Sequence, residues 1–453
     1  MKIIVGGAGS VGRSIISYLS RADNDIVVID TAQERLDEIS KEFDVQPVLG
    51  SVSRPDILEK VGALNADILI AATNNDEVNL VACQVAYTLF NIKKKIARVD
   101  SEYFLSPLWN TLYNDKNLPV DLVISPDQEI SSRILELLSV PGAKEAYSFA
   151  DGNIEFVCLK CCNECSLYQF SISEIYENYK DLHFSIVQIL RDGVHFFAKP
   201  DETIHAGDEV YILALKEEMP AIIRAFNISE RIAENIVIFG GNAISYDIAH
   251  RLEENETFNT LKIVTSNMNV ARKMSAELNK TTIICGEMMS DVILADAQLS
   301  KADTTIAVTG LDKDNLLLSL LAQYNGVTST IALVNSRVYD NLTNHISDNI
   351  IVDRSTVTIS KILRDIRHVN LLNAYPLGRG FAEIWELKLK EDSLLEGKKI
   401  EDITLPEKCK IVGIERNKKL LFPENDTVLE LNDILIVIVA SNGINKVERA
   451  LKI

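Results

Sequence analysis

No apolar run in this chain of 453 residues reaches the ~18–20 residues that a helix needs to span a bilayer. The longest, such as Ile434–Ala440, have the length of buried strands. Cations are also scarce, with 46 Lys and Arg against 65 Asp and Glu and a formal charge of −19. Such a chain lacks the clustered basic surface that grips phosphate backbones or an anionic leaflet. Neither nucleic acid nor lipid is therefore an expected partner, and a place at a membrane would require docking on a protein there. No helix-turn-helix with basic recognition residues stands out, which argues against a nucleotide-sensing repressor. The first strand opens at Lys2, leaving no room for a signal peptide, so the expected location is cytoplasmic.

Catalytic signatures are missing as well. There is no Walker A lysine, HExxH, GxSxG or Tyr-xxx-Lys pattern. The six histidines are His183, His195, His205, His250, His345 and His368, none of them in the first sheet region. Seven cysteines in a cytosolic chain are not a disulfide framework. Four crowd into CLKCCNEC as Cys158, Cys161, Cys162 and Cys165. Zinc knuckles are usually separated by a dozen or more residues, so this cluster reads as a strand and turn carrying thiols, and no metal is expected.

What the chain has instead is one unit written twice. KIIVGGAGSVGRSI at Lys2–Ile15 returns as NIVIFGGNAISYDI at Asn235–Ile248. AATNNDEVNL at Ala71–Leu80 returns as AVTGLDKDNL at Ala307–Leu316, and IARVDSEYF at Ile96–Phe104 as IALVNSRVY at Ile331–Tyr339. Short bounded apolar runs at Ile3–Val5, Ile26–Ile29, Pro47–Leu49, Ile68–Ala72, Ile96–Val99 and Leu122–Ile124 suit buried parallel strands. Helical segments at Ala32–Phe43, Asp76–Leu89 and Asp127–Leu138 lie between or after them. This alternation predicts α/β architecture with a Rossmann-like, doubly wound sheet.

Pro141–Asn153 reads as a connector to a strand-rich α+β module. That module has strands at Ser185–Ile189, Phe196–Lys199 and Glu209–Ala214, a hairpin at Asp192-Gly193, and a helix at Glu217–Phe226. It recurs too, FSIVQILRDG at Phe184–Gly193 matching CKIVGIERNK at Cys409–Lys418. Two large sheet domains thus alternate with two small ones, at 1–127, 142–226, 233–353 and 372–453.

Gly7-Ala8-Gly9-Ser10-Val11-Gly12 is a GxGxxG turn between an apolar strand and a helix. Gly7 allows the tight turn, Gly9 lets backbone approach a pyrophosphate, and Gly12 lets the helix pack closely. The helix N-terminus offers free N–H groups to the phosphates. Asp30, closing the second strand, can accept from both ribose hydroxyls and would repel a 2′-phosphate, which favours NAD(H) over NADP. ATP and ADP share the same adenosine diphosphate portion. Ser51, Thr73 and Asn74 follow the third and fourth strands, where the crevice opens, and Arg98 offers a cation or an ion pair. The second copy has Ser245 for the third glycine, Thr265 for Asp30 and Leu333 for Arg98, so its site is expected to bind weakly or not at all.

Together the glycine turn, GSVSRPDIL at Gly50–Leu58, TNNDEVN at Thr73–Asn79 and IARV at Ile96–Val99 resemble the RCK (regulator of potassium conductance) domain. The small modules resemble RCK C-terminal domains. The sequence departs from that pattern at Ser51 and in the eroded second glycine turn. The resemblance implies a nucleotide-gated regulatory subunit, two units per chain, with a homodimer completing a four-unit ring beneath a transmembrane potassium channel subunit of the Trk type. The rival reading is an NAD-dependent oxidoreductase using the small modules as substrate domains; it lacks a poised acid or base.

Overall fold

The computed structural model describes residues 1–20, 24–163, 165–226, 233–255, 258–335, 349–366, 371–377, 381–390, 393, 395–407, 409–441 and 443–451. His345, His368 and the end of the IALVNSRVY landmark lie outside them.

Strands β1 (Lys2–Gly6), β2 (Asp25–Asp30), β3 (Gln46–Leu49), β4 (Ile68–Ala71), β5 (Lys94–Arg98) and β6 (Leu122–Ile124) form a parallel sheet in the order β3-β2-β1-β4-β5-β6. Helices cover both faces, and the strands are apolar on both. Ile3 and Val5 of β1 pack with Val11, Ile15 and Leu19 on one side. Ile4 joins Leu69, Leu80 and Cys83 on the other. This two-sided burial explains why the strands read as short continuous apolar runs rather than as alternations.

An antiparallel sheet follows: β7 (Ala143–Phe149), β8 (Ile154–Lys160), β9 (Phe184–Arg191), β10 (Val194–Phe197) and β11 (Glu209–Leu215), ordered β10-β9-β11-β8-β7. The connector expected at Pro141–Asn153 is largely the edge strand β7. Its polar Lys144, Glu145 and Ser148 hid it among turn residues, and such residues are what an edge tolerates. The helix expected over Glu217–Phe226 is a short 3₁₀ turn and then the helix Met219–Ala225. Asp192 (φ 50°) and Gly193 (φ 78°) make the left-handed hairpin turn between β9 and β10.

The second half repeats both sheets. Strands β12 (Asn235–Phe239), β13 (Thr260–Thr265), β14 (Thr282–Cys285), β15 (Thr304–Ala307), β16 (Ser329–Val334) and β17 (Ile350–Asp353) are parallel in the order β14-β13-β12-β15-β16-β17. Strands β18 (Leu371–Leu377), β19 (Ala382–Lys388), β20 (Lys410–Arg416), β21 (Lys419–Leu421) and β22 (Ile434–Ala440) are ordered β18-β19-β22-β20-β21. Strand for strand, both orders match those of the first half. The repeat reaches side chains. Arg191 grips Asp208 with two hydrogen bonds of 2.8 Å and donates to the Thr203 carbonyl. Arg416 grips Asp433 in the same way and donates to the Val428 carbonyl.

By contact the chain falls into two compact units, Met1–Glu129 with Arg354–Lys410 and Val437–Ile453, and Ile130–Asp353 with Ile411–Ile436. Within the first, the helix Arg354–Ile366 lies against the helix Ser10–Leu19. Ile362 enters the core under β1, Ser14 Oγ donates to Ser355 Oγ at 2.7 Å, and Arg354 pairs with Asp127 at 2.9 Å. Within the second, Arg251 on the helix Ala243–Asn255 donates to Ser132 at 2.9 Å, on the helix that trails β6. The helix Arg354–Ile366, which trails the second parallel sheet, thus belongs to the unit built on the first, while the helix Pro126–Ser139 gives its first turn to the first unit and residues 130–139 to the second.

Candidate functional site

The strand order reverses direction between β1 and β4, and the crevice at their carboxyl ends is where open α/β sheets take ligands. The glycine turn leaves β1 there, and Thr73 and Asn74 leave β4. Gly7 has φ +103°, and a Cβ on it would meet the Ala72 carbonyl at 2.7 Å. A Cβ on Gly12 would lie 1.8 Å from the Gly7 carbonyl oxygen, so only glycine lets this helix start so close to the strand. Gly9 differs in kind, because a Cβ there would meet nothing within 4 Å. Nothing in the packing demands that glycine; it leaves open space at the helix N-terminus.

That helix, Ser10–Leu19, has no side-chain cap and no acid in its first turn. Its leading N–H groups and the positive end of its dipole face the crevice, a favourable seat for an anion. Ser10 is exposed beside them, and Val11 is buried beneath as packing. Asp30 is 7% exposed at the end of β2. Its Oδ2 accepts the Ala8 N–H at 2.6 Å and its Oδ1 accepts the Ala32 N–H at 2.8 Å. A carboxyl group offers about four lone-pair sites, so these two bonds leave acceptor capacity over. The acid ties the glycine turn to the second strand. Ser51 follows β3 with its hydroxyl 2.9 Å from that of Ser53.

Thr73 is held by a residue that sequence reasoning passed over. Asn79 is fully buried, and its Oδ1 accepts both the Thr73 N–H at 3.0 Å and the Thr73 hydroxyl at 2.7 Å. Its Nδ2 donates to the Arg98 carbonyl at 2.9 Å and the Thr73 carbonyl at 3.1 Å. One side chain thereby sets the spacing between the loops after β4 and β5. The signal was present in both copies as Thr-x5-Asn, and Asn315 makes the same bonds to Thr309 and to the Leu333 carbonyl. Asn74 is exposed in the loop. Arg98 pairs with Asp100, as one of its two readings had it, while its Nε is buried with no hydrogen-bond partner among the described residues.

The second crevice has the same frame and different contents. Asn242 stands where the first copy has Gly9. Its Nδ2 donates across the crevice to the Val308 carbonyl at 2.6 Å, just beyond β15. Its Oδ1 accepts the Ser245 N–H at 3.1 Å, and the Asn242 N–H donates to Ser245 Oγ at 3.0 Å. Asn242 and Ser245 thus satisfy each other's N–H groups at the start of this helix, where the first copy has Gly9 and Gly12 with no side chain to do so. Thr265, in place of Asp30, is 2% exposed and brings no charge.

Among the described residues no group of three or more His, Cys, Asp or Glu side chains is placed to hold a metal ion, and no helix is long and apolar enough to cross a membrane.

Comparison with known proteins agrees with this geometry. The TrkA-N domain model matches residues 3–126 and 236–353, and the TrkA-C domain model matches residues 384–452. The Trk system potassium uptake protein TrkA of Azorhizobium caulinodans is 32% identical over 453 residues, spanning 100% of this chain and 99% of that protein. Its counterpart in Vibrio alginolyticus is 32% identical over 440 residues, 96% of this chain and 95% of that one. Among solved structures, the GsuK RCK domain superposes with a TM-score of 0.60 at 19% identity, covering 100% of this chain and 95% of that chain. A GsuK channel bound to NAD gives the same TM-score and identity over 100% and 79%. At that identity the likeness speaks for the fold. With both parallel sheets inside TrkA-N matches and relatives aligned from end to end, the chain belongs to the TrkA family of Trk system potassium uptake proteins.

Proposed function

We propose that this protein is a nucleotide-sensing regulatory subunit, not an enzyme, that binds NAD(H), with ATP and ADP as alternatives at the same site, and gates a transmembrane potassium channel subunit of the Trk type. The supporting observation is the contrast between the two crevices: an uncapped helix N-terminus with open space at Gly9 in the first, and Asn242 and Ser245 capping the equivalent turn in the second. On this reading the first sheet domain senses and the second serves as scaffold. Gly7 through Gly12 hold the pyrophosphate, and Asp30 takes the ribose. Ser51, Thr73, Asn74 and Arg98 line the crevice.

The domains run 1–127, 142–226, 233–353 and 372–453, and a homodimer forms a four-unit ring on the cytoplasmic face through the channel partner. Exposed apolar residues on corresponding helices favour assembly: Val81 and Leu89 on Asp76–Phe90, and Leu317, Leu320 and Tyr324 on Asp312–Tyr324. The helix Arg354–Ile366, held to the nucleotide-turn helix through Ser14 and Ser355, gives a route from ligand to ring shape. A ligand moves such a gate only through its differential affinity for the two shapes.

Calorimetry of the full-length protein with NADH, NAD and ATP tests the reading. One site per chain is expected, lost in Gly9→Ala and retained in Asn242→Ala. Two equal sites per chain would overturn the division of labour, and no binding would overturn the sensor itself.

A further inference from the structure

One cluster is used neither by the nucleotide site nor by the repeat. Cys158, Cys161, Cys162 and Cys165 lie at the end of β8 and in the turn after it, while β19, the equivalent strand, carries Glu386 where β8 has Cys158. Cys158, Cys161 and Cys165 are buried, and Cys162 is exposed. Cys161 is pinned by its backbone: its N–H donates to the Asp208 carbonyl and its carbonyl accepts the Gly207 N–H, both at 2.8 Å. The Cys165 N–H donates to the Cys162 carbonyl at 3.1 Å. That hydrogen bond holds the α-carbons of Cys162 and Cys165 within about 7 Å, close to the span that a disulfide bridges.

The thiols of the cluster are unequal. Cys161 and Cys165 adjoin, and their hydrogen bond pushes Cys161 up, with burial adding to the rise. The same bond pulls Cys165 down, burial opposes it, and the Leu167 and Tyr168 N–H groups assist. Cys158 faces Glu209 at 4.0 Å and is pushed up by burial, which removes it from thiolate chemistry.

We propose that Cys162 and Cys165 are a reversible redox pair that exchanges with low-molecular-weight disulfides, the exposed thiol reacting first and the buried one resolving. In the first step the Cys162 thiolate attacks one sulfur of RSSR, forming Cys162–S–S–R and releasing RS⁻. In the second the Cys165 thiolate attacks the Cys162 sulfur, forming Cys162–S–S–Cys165 and releasing a second RS⁻. Both thiolates take up the protons that the two cysteines gave up, so one RSSR is reduced to two RSH and one dithiol is oxidised. The Cys161 S–H supports the resolving thiolate and stays reduced.

The test uses the reduced full-length protein and 2-hydroxyethyl disulfide, with acid quench, alkylation of free thiols and peptide mapping by mass spectrometry. The expected product joins Cys162 to Cys165, leaves Cys161 as a thiol, and is reversed by dithiothreitol. Cys165→Ala should stop at the mixed disulfide on Cys162, and Cys162→Ser should slow disulfide formation in this segment roughly tenfold or more. Should Cys165→Ala fail to fold, the map of the unsubstituted protein still decides. A persisting mixed disulfide there, a Cys161–Cys165 bond beside a free Cys162, or no reaction would each overturn the proposal.

Discussion

Two glycines three residues apart in the first turn should respond to alanine in opposite ways. In Gly12→Ala the new Cβ would lie 1.8 Å from the Gly7 carbonyl oxygen and 2.8 Å from its carbon. Ordinary contact is about 3.2–3.5 Å, so the helix must retreat by more than an ångström, and the obstacle is backbone that cannot rotate away. Val11, Ile15 and Leu19 would lose their fit against Ile3 and Val5. Overpacking of this sort costs about 1–3 kcal/mol, with this case at the upper end. At about 2–4 °C per kcal/mol, the melting temperature should fall by roughly 5–10 °C. In Gly9→Ala the Cβ enters open space at φ −73°, a conformation alanine adopts freely, so stability should stay within about 0.5 kcal/mol. The same methyl stands where a pyrophosphate would run, and NADH affinity should drop tenfold or more, at least about 1.4 kcal/mol. Scanning calorimetry and titration calorimetry on both variants separate the effects. An unchanged NADH affinity in Gly9→Ala would refute the path assigned to the phosphates, and an unchanged melting temperature in Gly12→Ala would refute the close packing.

Asp30→Ala should lower NAD affinity and also stability, by about 1–3 kcal/mol, because the buried Ala8 N–H and the half-buried Ala32 N–H lose their acceptor; a gain in NADP binding relative to NAD isolates the ribose role, and no change in that ratio counts against it. Asn79→Ala and Asn315→Ala should each destabilise by a few kcal/mol, since each removes four hydrogen bonds from a buried side chain, yet only Asn79→Ala should weaken NADH binding; equal effects on titration would remove the distinction between the two crevices. Arg98→Ala should weaken ATP more than adenosine, and equal losses would leave the arginine only its pairing with Asp100. Burial pushes the Glu383 carboxyl up to about 8, with the Trp385 N–H opposing and Glu448 adding to the rise. The folded state therefore holds this proton more tightly than the unfolded chain. Its contribution to stability is full below about pH 4.5 and is lost as pH rises through about 8. Glu383→Gln should flatten the fall in melting temperature over that range, and an unchanged slope would show that another group titrates.

The sequence by itself determined the doubled plan, the parallel strands and the tight first turn. These are local properties. Short apolar runs between helical segments dictate buried strands, GxGxxG dictates a tight turn, and an acid closing the second strand lies near that turn in any such sheet. Erosion of the second site was legible for the same reason, in Ser245 and Thr265. The manner of it was not, because Asn242 acts through a carbonyl at Val308, 66 positions away, that only the fold brings within reach. Asn79 was hidden likewise, being an unremarkable helix residue until the ends of β4 and β5 stand side by side. Strand β7 was masked by the polar residues an edge tolerates, and its pairing with β8 alone declares it. The tertiary structure also decided that the helix Arg354–Ile366 covers the first glycine-turn helix. An amphipathic helix will bury its apolar face on any matching surface, and its sequence carries no record of which of two similar sheets supplies it.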